Sequence, residues 1–554
     1  MTGPSPTDLA LAFPKLTFEE IDALRPFGSE RAVAPGEILF AEGQRGFSFF
    51  VVLEGAIEIV EHSSGTERQV IVHDVGQFTG DVDMLTGRAA IVTARAMQPS
   101  RVLQLTAEAL RESVQGMSDV GEKILKAFLQ RRVLLVQTGF TGLRIVGSRF
   151  SPDAHRIRDF ATRNQIPFTW IDLERDTLAE SLLRQFNVKP DETPVVILNG
   201  ELLTKPTNAD LARKMGLEVT FTPEEVYDLA IVGAGPAGLA ASVYAASEGL
   251  RTITFDSAAA GGQAGTSSRI ENYLGFPTGI SGADLTRNAM IQAQRFGARV
   301  SVPDRVVGLR LDRGNRVIAL ENGTEVHARC VLVASGVEYG RLDLDRLREF
   351  EGAGVYYAAT EMEARLCHGE EVVVVGGGNS AGQAIVFLSR YAKKVNVVLR
   401  GNDIGKSMSR YLVDRVECTH NVVVHHACEV KRLSGNGHLS GVQLGFANGE
   451  TLDISTDALF LFIGASPHTG WLRGCVQLDS KGFVLTGNAV VKSELDHSVW
   501  DAAGREPRLL ETSLPGVFAA GDARAGSVKR VASAVGEGSM SVSLVHEHIG
   551  APLG

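Results

Sequence analysis

The stretch Asp228-Leu-Ala-Ile-Val232-Gly233-Ala-Gly235-Pro-Ala-Gly238 reads as an apolar strand, a glycine-rich turn and the start of a helix. The first glycine of such a turn permits a sharp bend. The second lets backbone approach a pyrophosphate, and the third lets helix and strand pack closely. The helix N-terminus then offers unpaired N–H groups and the positive end of its dipole to phosphates. The pattern returns 143 residues later, where strand 371–375 runs into Gly376-Gly-Gly378-Asn-Ser380-Ala381 and a second helical run. One G-x-G-x-x-G is a weak signal; two in the same strand–turn–helix context specify two dinucleotide-binding units.

Working outward, strand 251–255 ends at Asp256, 23 residues after Gly233. A carboxylate there accepts hydrogen bonds from a ribose. In the second copy, strand 395–399 ends at Arg400, and no acid stands there. Arginine suits a 2′-phosphate, so NADP(H) is expected over NAD(H), with Lys406 and Arg410 in support.

Composition bounds the rest. A chain of 554 residues, 44% hydrophobic and 22% charged, is a soluble core-forming protein of three to five domains, neither disordered nor fibrous. Of 60 glycines, 43 lie beyond residue 222, so close backbone approaches concentrate in the dinucleotide half. A net charge of −10 disfavours extended nucleic-acid contact. No apolar run approaches 18 residues and no signal peptide is evident, so no membrane association is expected. The five cysteines, Cys330, Cys367, Cys418, Cys428 and Cys475, form no C-x-x-C pair. They point to reduced thiols and a cytoplasmic location, and no metal spacing is present. His546 and His548, in Val-His-Glu-His, read as helix-surface residues rather than a metal or acid–base pair.

Residues 226–554 resemble the low-molecular-weight thioredoxin reductases. The likeness is carried by Gly233, Gly235 and Gly238, Gly261-Gly262-Gln263, Ile270-Glu-Asn272-Tyr-Leu-Gly275-Phe-Pro277, Ala334-Ser335-Gly336 and Gly521-Asp522. The resemblance implies FAD as cofactor, with Gly262, Gln263 and Asn272 lining the flavin. It also implies Asp522 on the ribitol and the amides near Val531 and Ala532 at the pyrimidine edge. An NADPH domain at 340–467 is then inserted into an FAD domain built from 226–339 and 468–554. A homodimer through the FAD domains is likewise implied.

The sequence departs from that family at its redox disulfide. The family's C-A-T-C followed by Asp aligns with Ala358-Ala-Thr-Glu361-Met362. A disulfide takes electrons only by thiolate attack and exchange, which alanine and glutamate cannot perform. Hydride transfer from a nicotinamide to flavin needs no protein thiol. Glu361 is a candidate proton carrier beside the flavin or its acceptor, weighed against a reading as solvated filler.

Residues 1–125 read as short strands at 37–41, 48–53, 56–60 and 101–105, followed by one helical stretch at 107–132. Residues 30–105 resemble a cyclic-nucleotide-binding β-barrel. The carriers are Pro35-Gly36-Glu37, Gly43, Gly55 and the cassette Gly80-Asp81-Val-Asp-Met-Leu-Thr-Gly-Arg88-Ala89-Ala90. The resemblance implies that Arg88 grips the cyclic phosphate with both arms of its fork. Asp81 stands in place of the family's ribose-binding glutamate, one methylene shorter. Ala89 resembles the cyclic-AMP type of pocket. No helix-turn-helix follows, so DNA binding is not expected.

After a connecting helix and linker at 126–140, residues 141–217 read β-α-β-α-β. The strands are at 143–146, 168–171 and 195–198, and the helices start at Ser151 and Thr177. This region resembles the thioredoxin/glutaredoxin fold, with Thr193-Pro194 placed like that family's cis-proline. Its C-P-x-C position reads Ser151-Pro152-Asp153-Ala154, a serine N-cap with proline at N1. A linker follows at 218–225.

The expected architecture is multidomain α/β: two Rossmann-type dinucleotide domains preceded by a β-barrel and a thioredoxin-like domain. The expected function is an FAD-dependent NAD(P)H oxidoreductase. Electrons pass to an unidentified acceptor, and cyclic AMP is a candidate regulator. The rival is a flavin-bound redox or cyclic-nucleotide sensor with vestigial catalysis.

Overall fold

The computed structural model describes residues 5–61, 67–81, 84, 87–137, 143–176, 179–198, 201–219, 221–222 and 225–550. The chain divides into two units. One comprises residues 1–148, 160–219 and 291–298; the other comprises 149–159, 220–290 and 299–554.

In the first unit the N-terminal strands form two antiparallel sheets. Strands Ser29–Val33, Ser100–Leu105 and Phe49–Glu54 make one; Ile38–Phe40, Thr93–Ala96, Ile57–Glu61 and Arg68–His73 make the other. Both enclose a core that includes Phe49, Phe50, Phe78 and Phe128. Among the described residues these are two sheets around one core, and a hydrogen-bonded closed barrel is not seen.

The single helix expected at 107–132 is in fact two, Ala107–Gly116 and Ser118–Gln137. Met117 adopts an extended conformation between them. A Cβ on Gly121 would come within 2.5 Å of the Val114 carbonyl oxygen, so the second helix folds back tightly on the first. That contact is glycine-dependent and invisible to periodicity. Residues 138–140 of the expected linker, residues 141–142 of the expected domain after it and the expected helix start at Thr177 lie outside the described residues, as do parts of the 218–225 linker.

Residues 143–215 give strands Leu143–Gly147, Thr169–Asp172, Val195–Leu198 and Glu201–Thr204, with helices Pro152–Arg163, Ala179–Gln185 and Asn208–Met215. The sheet order runs from Glu201–Thr204 through Val195–Leu198 and Leu143–Gly147 to Thr169–Asp172. The final strand and helix were not anticipated from the sequence. The Thr193–Pro194 peptide is cis.

The second unit holds two parallel-sheet lobes. Strand Val226–Val232 sits centrally in a seven-stranded sheet, parallel to Thr252–Phe255 on one side and Glu325–Val333 on the other; Val517–Ala519 returns to pair with the latter. A five-stranded parallel sheet places Glu371–Val375 between Leu459–Leu461 and Lys394–Val398. Both central strands are buried on both faces, which explains their unbroken apolar runs. The lobes are joined by a small antiparallel ribbon, Val337–Tyr339 against Ala465–Pro467.

Candidate functional site

The first glycine loop is held by contacts that admit no side chain. A Cβ on Gly233, whose φ is +108°, would lie 2.2 Å from the Ala334 carbonyl oxygen; one on Gly238 would lie 1.9 Å from that of Gly233. Gly235 differs. It caps helix Pro236–Ser247 without a side-chain bond, and its Cβ direction is open, the nearest atom being Gly262 Cα at 3.8 Å. That is the cradle a pyrophosphate needs. Asp256 stands at the mouth and organises it. One carboxylate oxygen accepts from the Ala234 N–H at 3.0 Å and the other from Ala258 and Ala259 at 3.0 and 3.1 Å. Each carboxylate oxygen has more than one lone pair, so ribose hydroxyls can still be received.

Gly261 donates to the Ala234 carbonyl at 2.7 Å, which brings Gly262 and Gln263 against the same loop. Gln263 donates to the Val337 carbonyl at 2.5 Å and so ties this loop to the ribbon between the lobes. Asn272 lies exposed in the following loop. Asp522 sits in a half-buried turn where burial raises its carboxyl above the usual range, while Lys529 pulls it down. Helix Val531–Ile549 starts beside this turn, and its N-cap Arg530 makes no side-chain cap bond, leaving the Val531 and Ala532 end of the helix available. Ser335 Oγ is buried with no hydrogen-bond partner, next to Gly233. An open glycine cradle, a desolvated carboxyl and an orphaned hydroxyl fit a flavin dinucleotide.

The second loop is built alike at its base and differently at its rim. A Cβ on Gly376 would meet the Phe462 carbonyl oxygen at 2.5 Å, whereas nothing lies within 4 Å of one on Gly378, the cap of helix Asn379–Leu388. The third position is the buried Ala381; close packing passes instead to Gly382, whose Cβ would lie 2.8 Å from Met408 Sδ. Ser407 donates to the Gly377 carbonyl at 2.9 Å, and the Ser409 N–H donates to Asn379 Oδ1 at 2.7 Å. Past strand Lys394–Val398, Arg400 and Lys406 are exposed, and Arg410 pairs with Asp414 at 2.7 Å. These cations offer an electropositive rim of the kind a 2′-phosphate requires.

Tyr339, on the ribbon, went unnoticed in the sequence. Its ring meets Phe462 edge-on at 5.5 Å. Burial raises its phenol, Ser380 of the second loop lowers it by hydrogen bonding, and Asp522 of the first site raises it again. Its phenol thus lies close to both the second loop and the Asp522 carboxyl. Arg415 also pairs with Glu271 across the lobes.

Glu361 is the first residue of helix Glu361–Leu366, largely exposed and paired with Arg365 at 2.8 Å. The buried acid is two residues on. Glu363 closes a capping box, accepting from the Thr360 N–H at 2.8 Å, and burial raises its carboxyl. His155 Nε2 lies 3.9 Å away. All five cysteines are free; burial lifts Cys330 and Cys367 to about 12, which makes them poor thiolates. Ser151 Oγ accepts from the Ala154 N–H at 3.3 Å, the expected N-cap role.

In the N-terminal region Gly80 has φ +96°, and a Cβ there would lie 2.4 Å from Met84 Sδ. Val82, Asp83, Leu85 and Thr86 of the cassette lie outside the described residues. Arg131, another residue the sequence did not reveal, is buried and donates to the carbonyls of Gly80, Phe78 and Ala12 at 2.5, 3.0 and 2.8 Å. Burial lowers it to about 9, while Asp81 opposes the shift. Arg88 donates to the Asn164 carbonyl at 3.2 Å, and Ala89 follows it, half-buried.

The expected surface location of the C-terminal histidines is wrong. His546 is 1% exposed and lies 2.8 Å from Glu248. His548 is driven down to about 4 by burial and by Arg316. The last helix packs its histidine face inward because Gly538 lets it approach Ala237 of the first dinucleotide helix. Among the described residues no metal-binding cluster occurs, and no helix is long and apolar enough to cross a membrane.

Comparison with known proteins follows the same division. The cyclic nucleotide-binding domain family matches residues 30–116. Thioredoxin reductase of Streptomyces clavuligerus is 32% identical over 316 residues, 57% of this chain and 91% of that protein. That of Treponema pallidum is 32% identical over 329 residues, 59% of this chain and 98% of that one. The crystal structure of T. acidophilum thioredoxin reductase superposes with a TM-score of 0.52 at 29% identity, covering 59% of this chain and all of that one. The pyridine nucleotide-disulphide oxidoreductase family matches residues 227–538, more than half of the chain, and the protein belongs to that family, as a thioredoxin-reductase-like oxidoreductase carrying an N-terminal cyclic nucleotide-binding domain.

Proposed function

We propose that the protein oxidises NADPH at the second loop, reduces FAD at the first, and delivers electrons to an acceptor outside the chain. The acceptor class is oxygen, a quinone, another flavin or an external disulfide. The observation that carries this reading is the pairing of two intact dinucleotide loops with the lack of any C-x-x-C in the sequence. Bound FAD supplies hydride acceptance and onward electron transfer; the protein supplies position and electrostatics.

In this reading Gly233, Gly235 and Gly238 let the first helix approach the FAD pyrophosphate, and Asp256 receives ribose hydroxyls. Gly262, Gln263 and Asn272 border the flavin, Asp522 receives a ribitol hydroxyl, and Val531 and Ala532 direct amides to the pyrimidine edge. Gly376, Gly378, Ser380 and Ala381 form the NADPH cradle, with Arg400 and Lys406 against the 2′-phosphate. NADH is the weaker donor. The resemblance further supports a homodimer through the FAD lobe. The exposed Glu361–Arg365 pair favours the solvated reading of Glu361 over proton transfer. The N-terminal domain, with Gly80, Asp81, Arg88 and Ala89, takes a cyclic nucleotide of the cyclic-AMP type as regulatory ligand. The cysteine-free domain at 141–217, thioredoxin-like in strand order, serves as a docking element.

An anaerobic reductive titration tests the proposal. A flavin alone accepts one electron pair, whereas a flavin with a redox disulfide accepts two. Uptake of a single pair per flavin from NADPH is the expected result. A second pair taken up by the protein would contradict the thiol-independent route.

A further inference from the structure

Helix Pro152–Arg163 is continuous, yet its two ends are held by different parts of the chain. At the N-terminal end the contacts lie inside the reductase unit. Arg149 donates to the Leu366 carbonyl at 3.4 Å, and Phe150 stacks on His438 with centroids 4.2 Å apart. The His155 ring lies 5.2 Å from that of Tyr356, with Glu363 beside it. A Cβ on Gly352 would come within 3.2 Å of Pro152 Cα, so the helix start is pressed against that turn.

At the C-terminal end the contacts lie inside the other unit. Arg88 donates to the Asn164 carbonyl at 3.2 Å, and Arg132 donates to the Gln165 carbonyl at 2.7 Å. Gln165 has φ +56° and terminates the helix. The last carbonyls of a helix lack intrahelical partners and carry the negative end of its dipole. Two guanidinium groups there are a favourable electrostatic cap.

Arg88 is also the side chain that the cyclic nucleotide-binding family assigns to phosphate. A carbonyl oxygen carries a partial charge and a cyclic phosphate a full one, and a phosphate can engage both arms of the guanidinium fork. The phosphate is therefore the stronger ligand for the same group, and gripping it with both arms turns the fork away from Asn164.

We propose that the Asn164 carbonyl is an internal competitor for the cyclic phosphate at Arg88. Ligand binding then uncaps helix Pro152–Arg163, whose far end rests on the NADPH lobe. The bistable element is the Arg88 guanidinium, held by a carbonyl in one state and by a phosphate in the other; both the ligand and the helix bias it. The inference rests on the reading that residues 30–116 bind a cyclic nucleotide, and it names how that site regulates.

The test is hydrogen exchange on the full-length protein, with and without cyclic AMP or cyclic GMP, beside isothermal titration of the same samples. The reporters are the amides of Asn164, Gln165 and Ile166, which donate to Phe160, Thr162 and Ala161. Cyclic nucleotide is expected to speed their exchange about tenfold, as loss of a charge-assisted cap allows. Arg88→Ala is expected to show that faster exchange without ligand and no further change with it. Heat of binding with slowed or unchanged exchange at these amides would overturn the competition while leaving the ligand assignment standing. Absence of heat with either nucleotide would overturn the ligand assignment and the competition together. Unchanged exchange in the Arg88→Ala protein would show that the cap is not held by Arg88 and would also overturn it.

Discussion

The two glycine loops begin with the same spacing and end in different surroundings. The first is closed on every side but one. Gly233 and Gly238 abut backbone, Asp256 is held by three amides, and Gly538 of the last helix presses on Ala237. The second opens at Gly378 as the first does at Gly235, but rims that opening with exposed cations, Arg400, Lys406 and Arg410. Tight packing around a loop suits a resident cofactor; an open, charged rim suits one that arrives and leaves with each turnover. The glycine spacing alone cannot show this difference, because its sources lie outside both motifs: Asp256 and Gly538 for the first loop, Arg400, Lys406 and Arg410 for the second.

The sharpest way to break the comparison is at its most crowded point. Gly238→Val places branched carbon where even a Cβ would sit 1.9 Å from a carbonyl oxygen. Overpacking of this kind costs about 1–3 kcal/mol or more. The purified variant is expected to lose most of its flavin, measured as flavin absorbance per protein. Gly378→Ala, at the open second glycine of the other loop, is expected to retain full flavin content. Equal flavin loss in both variants would erase the distinction between the loops.

A pH effect should fall on the first loop's side. His548 ends the helix packed on that loop, and its imidazole is held down to about 4 from an ordinary value near ~6.5. Between those values the unfolded chain binds the proton and the folded one does not. Stability therefore rises with pH through that window and is lost as pH falls from about 6.5 to 4, by roughly 3 kcal/mol. In His548→Gln the denaturant midpoint should vary less steeply with pH over this range. An unchanged slope would assign the acid sensitivity elsewhere.

At the open rim, Arg400→Ala is expected to weaken NADPH about tenfold, or ~1.4 kcal/mol, with little effect on NADH. Steady-state KM values for both donors check this. Equal losses for NADPH and NADH would remove the 2′-phosphate from Arg400. The smallest effect is expected from Glu361→Gln. An exposed ion pair such as Glu361–Arg365 is worth only about 0–1 kcal/mol, so stability and flavin reoxidation should both be nearly unchanged. Slowed reoxidation would restore Glu361 as a proton carrier.

Much of the architecture was legible because it is local. Strand–turn–helix order, the 23-residue step from Gly233 to Asp256 and the proline-started helix at Ser151 all follow from short-range rules. What was hidden depends on partners distant in sequence. The break at Met117 needs Gly121 against Val114. Arg131 looks like one more charge on a helix until Phe78 and Gly80 turn their carbonyls to it. Glu363 is one of two acids in Glu361–Leu366, and burial beside His155 singles it out. Tyr339 matters only because the ribbon sets it between Ser380 and Asp522.

The central claim is that hydride passes from NADPH to flavin without any protein disulfide. Rapid anaerobic mixing of the FAD-loaded protein with NADPH, after its cysteines have been alkylated, reads this step directly. Bleaching of the flavin absorbance within seconds is the predicted result. A flavin that stays oxidised for minutes with both NADPH and NADH would contradict the account.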